Sequence, residues 1–348
     1  MPTPEVSVLM PVYNCEKFIR ESLESILNQT FTNFELIVID DASTDSTPAI
    51  VKSYKDPRIV FVQKPQNTGY TRSLNTGLQM VRGEFIARMD GDDISRSTRL
   101  EKQVAYLQSN PDVLLVGSLF SIIGGLKPRY SPLSHDSLKV YFLHHNYLQH
   151  PTAMMRRKVM DAFNLRYDPG YEPAEDYKLW TEIICRGRVE VLNEVLLDYR
   201  MHEAQTSATR SSEQEKQVDR IRLQMVSRLL GENQLDEATT KLHLQLIKNE
   251  ADKNFSLRKL DAWVKILMKA NAERRVFNHK ELQSFLFNKQ LDVIRNYYQY
   301  SSRHSFENIA YYVRNFKRLR AGIFPRNYFE LAARILYRNC FRQLLAHK

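Results

Sequence analysis

The stretch Phe85-Ile86-Ala87-Arg88-Met89-Asp90-Gly91-Asp92-Asp93 is a short apolar run that stops at three carboxylates set around one glycine. Short apolar runs bounded by turn residues read as strands buried on both faces, as in a sheet covered by helices above and below. The same construction stands upstream, where residues 34–40 run into Asp40-Asp41-Ala42-Ser43-Thr44-Asp45. Residues 6–10, 59–62 and 113–123 have the same β-branched character, and residues 16–28, 47–54, 70–81 and 98–108 between them carry helical spacing. Strands alternating with helices of this length predict βαβ units, hence an α/β fold with a Rossmann-like, mostly parallel sheet flanked by helices. Ligands of such sheets bind at the carboxyl ends of the strands, which is where both acidic clusters fall.

Working outward, residues 126–200 are mixed, broken by Pro128, Pro132, Pro151, Pro169 and Pro173. After Ser212 the pattern turns helical: residues 213–230, 237–254 and 257–272 place apolar side chains at i, i+3 and i+4 with almost no Gly or Pro. Charge divides the chain at the same point. The 348 residues carry a net charge of +10, yet residues 1–210 hold 24 basic and 26 acidic side chains, and residues 211–348 hold 26 and 14. Two regions are therefore expected: an α/β domain over residues 1–210 and an all-helical, basic extension over residues 211–348. From Tyr311 to Lys348 nine basic residues interleave with aromatics and face only one acid, Glu330. Such a segment suits either an anionic membrane surface or a helical subdomain with its aromatics packed inward and a solvated basic face.

Composition excludes several classes. With 43% hydrophobic and 26% charged residues, 11 Gly and 13 Pro, the chain is neither collagenous nor of low complexity. Cys15, Cys185 and Cys340 are far apart and odd in number, which argues against a disulfide framework and for a reducing compartment. No basic-then-apolar leader precedes Val6, and the apolar uncharged run over residues 113–126 is shorter than the roughly 20 residues needed to span a bilayer. The expectation is a cytoplasmic protein, peripheral at the inner face of the membrane if the basic region binds lipid.

Three acidic groupings carry candidate chemistry. Asp90 and Asp92 are one residue apart at a strand end, where both reach a single hard cation, and Mg²⁺ typically takes about one or two carboxylates; a simple Asp-Gly turn is the alternative. The segment from Asp40 to Asp45 offers acceptors to a base or ribose, or caps the next helix through Ser43, Asp45 or Ser46. Glu175-Asp176 precedes Tyr177-Lys178-Leu179-Trp180, whose spacing suggests a first helical turn; there a carboxylate either complements the helix dipole or acts as a general base toward a hydroxyl. His202 stands alone, and His144, His145 and His150 lack the spaced Cys or His partners of a zinc site.

The order of these groupings resembles glycosyltransferase family 2, the inverting nucleotide-sugar enzymes of the GT-A fold. The resemblance runs through Val6-Ser7-Val8-Leu9-Met10-Pro11-Val12-Tyr13-Asn14, the segment from Asp40 to Asp45, Asn67-Thr68-Gly69, Ser73-Leu74-Asn75-Thr76-Gly77 and Ala87-Arg88-Met89-Asp90-Gly91-Asp92-Asp93. It continues at His150-Pro151-Thr152-Ala153-Met154 and Glu175-Asp176-Tyr177-Lys178-Leu179-Trp180, and closes at Tyr199-Arg200-Met201-His202. It covers about residues 5–205 and leaves the helical remainder unmatched.

The resemblance implies roles. Pro11, Tyr13 and Asn14 would line the nucleotide, Asp41 would meet a uridine-type base, and Arg72 and Asn75 would stand on the donor side. Asp90 and Asp92 would be the metal-associated pair for Mg²⁺ or Mn²⁺, with Asp90 nearer the ribose and His202 assisting metal or diphosphate. Asp176 would be the general base, with Glu175, Trp180 and His150 on the acceptor side. The partners implied are a nucleotide-sugar donor and a glycan or lipid-linked glycan acceptor in envelope polysaccharide synthesis, with no nucleic acid. The Gln/Arg-x-x-Arg-Trp signature of processive members is absent after His202, which implies addition of one sugar.

Three other classes fit less well. A phosphohydrolase could use Asp90 as nucleophile and Asp92 as acid, but that pattern wants Thr or Val where Ile94 stands, and it leaves the Asp40–Asp45 segment unexplained. A basic, non-enzymatic nucleic-acid module rests only on the charge of the tail. A dinucleotide oxidoreductase lacks its Gly-x-Gly-x-x-Gly after the first strand.

Overall fold

The computed structural model describes residues 3–125, 128–129, 131, 134–203, 205, 209–231, 235–252, 255–300, 308 and 311. The chain forms two units, Met1–Ile221 and Arg222–Lys348, whose boundary falls inside helix α8 (Ser211–Leu230). Most of the aromatic, basic tail from Tyr311 to Lys348 lies outside the described residues.

In the first unit β1 (Val6–Val12), β2 (Phe34–Asp40), β3 (Ile59–Gln63) and β4 (Phe85–Arg88) run parallel in the order β3-β2-β1-β4. Every residue of β1 and β2 is buried, the both-faces burial that their apolar runs predict. Alternation along the strand divides them between two layers. Val8, Met10, Leu36 and Val38 join Ile19, Leu23 and Ile26 of α1 (Ile19–Leu27) and Leu100, Val104 and Leu107 of α4 (Arg99–Ser109) in one core cluster. On the other face Leu9 and Ile39 receive α3 (Tyr70–Leu78) so closely that a Cβ on Gly77 would lie 2.1 Å from Leu9 Cδ1.

Beyond β4 the sheet becomes mixed. Among the described residues it has nine strands, continuing β4-β8-β6-β9-β5, with β7 (Pro128–Arg129) on β6. Strand β8 (Met154–Arg156) is antiparallel to both β4 and β6 (Val113–Ile122), while β9 (Arg188–Tyr199) runs parallel to β6 and antiparallel to β5 (Ile94–Ser95). The parallel expectation thus describes the half built from the βαβ units; β8 and β9 lie in the proline-broken region where no strand pattern was read. That region also holds α5 (His135–Tyr141), α6 (Arg157–Ala162) and α7 (Glu175–Ile184).

Some ends differ from the periodicity. Helix α1 starts at Ile19 because Cys15–Phe18 form a turn, the Cys15 carbonyl accepting from the Phe18 and Ile19 amides. Helix α3 ends at Leu78 rather than 81, before Gly83 passes β1 with Ser7 N 2.6 Å from where a Cβ would stand.

The second unit holds α9 (Glu237–Lys248), α10 (Leu257–Arg274) and α11 (His279–Tyr300) around Leu246, Ile247, Leu260, Trp263, Leu267, Leu282 and Leu286. Helix α9 opens on a capping box between Asp236 and Thr239. It ends at Lys248, short of the predicted residue 254, because Asn249 adopts the left-handed conformation that closes helices. Among the described residues no helix is long and apolar enough to cross a membrane.

Candidate active site

The carboxyl ends of β1, β2 and β4, the N-terminus of α3, the start of α7 and the segment after β9 enclose a cleft of about 880 Å³. Its lining includes Pro11, Tyr13, Asn14, Asp41, Asp90, Asp92, His150, Glu175, Asp176 and His202, residues that the sequence spreads over nearly 200 positions. Two loops are laced together at its mouth. The Thr44 amide donates to Asn14 Oδ1 at 2.9 Å, and the Asn14 amide donates to Ser43 Oγ at 2.9 Å. Asn14 has φ 52°, a left-handed conformation that Asn tolerates better than most residues.

At the base of the cleft Asp41 is buried and heavily bonded. Oδ1 accepts from Lys64 Nζ at 2.6 Å and the Thr68 amide at 3.0 Å, and Oδ2 accepts from the Gly69 amide at 2.8 Å. Burial alone would raise its pKa; the Lys64 ammonium and the two amides outweigh that and hold the carboxyl below its ordinary value. Asp45, which also lines the cleft, bonds the Glu16 and Thr47 amides and ties the β1 loop to α2 (Thr47–Ser53).

The Asp90–Asp93 turn gathers the cation-type ligands. Asp90, Asp92 and Asp93 offer carboxylate oxygens that all lie within 4.8 Å of one another. Asp90 pairs with the buried Arg88 and accepts from the Tyr70 hydroxyl at 3.2 Å. His202 Nε2 stands 2.9 Å from Asp92 Oδ2, and the ring packs against Phe18 with centroids 4.9 Å apart. Asp93 is fully buried; its Oδ1 accepts the Arg200 amide at 2.8 Å, and its Oδ2 has no partner. Burial and mutual repulsion push Asp92 up and Asp93 well up. Hard oxygen donors with one imidazole nitrogen suit Mg²⁺ or Mn²⁺, and an orphaned buried carboxylate oxygen is what a cation would satisfy; the donor set fits such an ion.

Across the cleft, at the start of α7, Asp176 Oδ2 accepts from Asn146 Nδ2 at 2.8 Å and Oδ1 from the Tyr177 amide at 2.6 Å. Burial raises its carboxyl to about 6. Glu175, 5% exposed and with Oε2 unpartnered, is pushed to about 8 by burial and by Asp176 beside it. His150 Nε2 lies 3.0 Å from the Tyr167 hydroxyl, and burial drives its pKa well below the ordinary value.

Three residues expected at the site lie elsewhere. Trp180 is 0% exposed and packs edge-on to His150 at 5.7 Å, so it supports that ring from the core and does not reach the cleft. The Asn75 amide is spent on the Tyr167 backbone, donating at 2.7 Å and accepting at 3.0 Å. Arg72 is exposed and donates to the Thr68 carbonyl at 3.1 Å, away from the cleft lining. The reason is helical: Tyr70 and Ser73 share the face of α3 toward the cleft, and positions 72 and 75 are turned from it.

Sequence reasoning also missed residues that the cleft uses. Tyr70 bridges Asp90 and His150; Asn146 holds Asp176; Glu172 accepts from the Thr71 amide at 3.3 Å and pairs with Arg210 at 2.8 Å. Lys64 is the partner of Asp41, and its position just past the carboxyl end of β3 is the one signal that pointed to it.

Comparisons with known proteins show what the chain is similar to. The model of the family described as glycosyl transferase family 2 matches residues 7–164. An uncharacterized glycosyltransferase of Haemophilus influenzae is 36% identical over 247 residues, covering 67% of this chain and 76% of that protein. The Escherichia coli protein named UDP-Glc:alpha-D-GlcNAc-diphosphoundecaprenol beta-1,3-glucosyltransferase WfaP is 28% identical over 214 residues, covering 60% of this chain and 82% of its own. Among solved structures, residues 1–349 of S. aureus TarS in complex with UDP-GlcNAc share the fold, with TM-score 0.57, 21% identity, and 85% and 92% of the two chains covered.

Proposed function

The chain belongs to glycosyltransferase family 2, and from that premise we propose that it moves one sugar from a uridine diphosphate sugar to a hydroxyl of a lipid-linked glycan, inverting the anomeric carbon, with Mg²⁺ or Mn²⁺ beside the diphosphate. The observation that carries this reading is the meeting of two acidic sets in one cleft: Asp90 and Asp92 with His202, and Asp176 apart from them. Single displacement needs both, because the leaving diphosphate requires a cation and the incoming hydroxyl requires a base on the other face of the sugar. The names of the Escherichia coli relatives WfaP and WfgD, and the UDP-GlcNAc complex of TarS, support a UDP-sugar and a diphospholipid-linked acceptor.

In this reading Asp90, Asp92 and His202 would hold the cation, which would supply Lewis-acid stabilisation of the leaving group. The chain's own residues do the rest. Asp176, with one bonded donor on each oxygen, keeps a lone pair free to take the acceptor proton, and a carboxyl raised to about 6 is better matched to a hydroxyl than an ordinary aspartate. Glu175, held near 8, stays neutral at pH 7 and keeps a second charge from the base, so the two neighbouring carboxyls are pushed apart in role. Asp41, kept ionised, accepts from the base. The basic C-terminal region would hold the protein at an anionic membrane where a lipid-linked acceptor resides.

Mn²⁺ titration followed by electron paramagnetic resonance tests the cation site. Asp92→Asn and His202→Ala are expected to weaken Mn²⁺ binding roughly tenfold or more; parent-like affinity in both would remove the cation from the proposal.

A further inference from the structure

The Asp41 carboxylate has about four lone-pair positions, and an ammonium has three N–H donors. Lys64 spends all three of its donors inside the protein, on Asp41 Oδ1 at 2.6 Å, on Ser73 Oγ at 2.9 Å and on Thr68 Oγ1. Oδ1 of Asp41 is then filled by Lys64 and the Thr68 amide, while Oδ2 has taken only the Gly69 amide. One acceptor position remains, on an oxygen of a residue that lines the cleft.

Resting on the uridine reading above, we propose that Lys64 is a specificity-determining positioning residue: by filling Oδ1 and turning no donor to the cleft, it leaves Asp41 a single charged acceptor that admits only a base presenting an N–H. Uracil presents N3–H there; cytosine presents a bare N3 lone pair, which would face the carboxylate with no hydrogen between them. Lys64 therefore selects the base without touching it. The device is built from the sheet edge, because Lys64 and Asp41 each stand one residue past the paired ends of adjacent parallel strands, Asp40 opposite Gln63. Removing the ammonium leaves Oδ1 with the Thr68 amide alone. Without that ammonium the buried carboxyl takes up a proton more readily, and the protonated form, with one O–H donor, ceases to demand an N–H and can meet a bare lone pair.

The test is equilibrium binding of UDP and of CDP, by calorimetry with Mn²⁺ present, to the full-length parent, Lys64→Met and Lys64→Gln, each checked for its fold by circular dichroism. The parent is expected to prefer UDP by on the order of a hundredfold, and both variants to lose most of that ratio, mainly through weaker UDP binding of roughly tenfold or more. A role confined to folding would lower both affinities together and leave the ratio intact; that result, in whichever variant folds, overturns the proposal. If neither variant folds, Ser73→Ala, which frees one Lys64 donor, supplies the same comparison: a reduced ratio supports the proposal and an unchanged one overturns it. A parent that binds CDP as well as UDP would instead refute the uridine reading itself.

Discussion

At the residue scale the site depends on carboxyl groups of one type held at different charge states. Asp41 is kept ionised by Lys64 and two amides, whereas burial raises Asp176 to about 6 and Glu175 to about 8. The sign for catalysis follows directly. A base with a raised pKa is competent above that pKa and is lost as pH falls through it, so kcat should fall on an acid limb at or somewhat below pH 6, the cation's charge drawing the limb down. A pH profile of kcat at saturating donor measures this, and a rate flat from pH 7 to 4.5 would exclude Asp176 as base. For stability the sign is opposite to that of a paired aspartate: Asp176 and Glu175 favour the folded state when protonated, and that contribution is lost as pH rises through their folded-state values. The residues of the cleft were legible in part. The residue types and their order pointed to Asp90, Asp92, Asp176 and His202, but Lys64, Asn146 and Tyr70 are ordinary surface-type residues until the fold brings them to the acids.

At the element scale, the cleft exists because β1 and β2 end level, Val12 beside Asp40, β4 stops at Arg88 beside Leu9, and each hands a polar loop to the same edge. Their apolar runs made that half of the sheet readable, since residues buried on both faces leave a continuous pattern. Strands β8 and β9 left no such pattern: β8 is three residues long and β9 is only partly buried, with exposed Asn193 and Glu194 in its middle. The placement of Arg72 and Asn75 off the cleft lining is likewise a matter of phase, because motif position says nothing of which helix face a residue occupies. Close approach is the other requirement of this edge. Gly83 precedes β4 with Ser7 N, Val6 C and Glu5 O all within 3.0 Å of where a Cβ would stand, and these are backbone atoms of the β1 region that cannot step aside. Gly83→Ala is therefore expected to lower stability by about 1–3 kcal/mol in urea unfolding. A parent-like midpoint would mean that β1 and β4 are less rigidly registered than described.

At the scale of the whole molecule, a nearly neutral catalytic unit is followed by a strongly basic remainder, so the net charge of +10 says little about the chemistry. The 348-residue chain is expected to co-sediment with vesicles containing anionic phospholipid at low salt and to be released as ionic strength rises, since polybasic attraction is screened within about 10 Å at 0.1 M salt; no binding at low salt would leave the helical unit without a membrane role. The central claim, a family 2 glycosyltransferase that uses Asp176 as its base, meets its most direct test in one measurement: release of nucleoside diphosphate from a panel of nucleotide sugars, with a lipid-linked acceptor and Mn²⁺, by the parent and by Asp176→Asn. The parent is expected to release nucleoside diphosphate from a UDP-sugar, and the variant to lose about 10²-fold or more of that rate; near-parental turnover by Asp176→Asn would rule Asp176 out as the base.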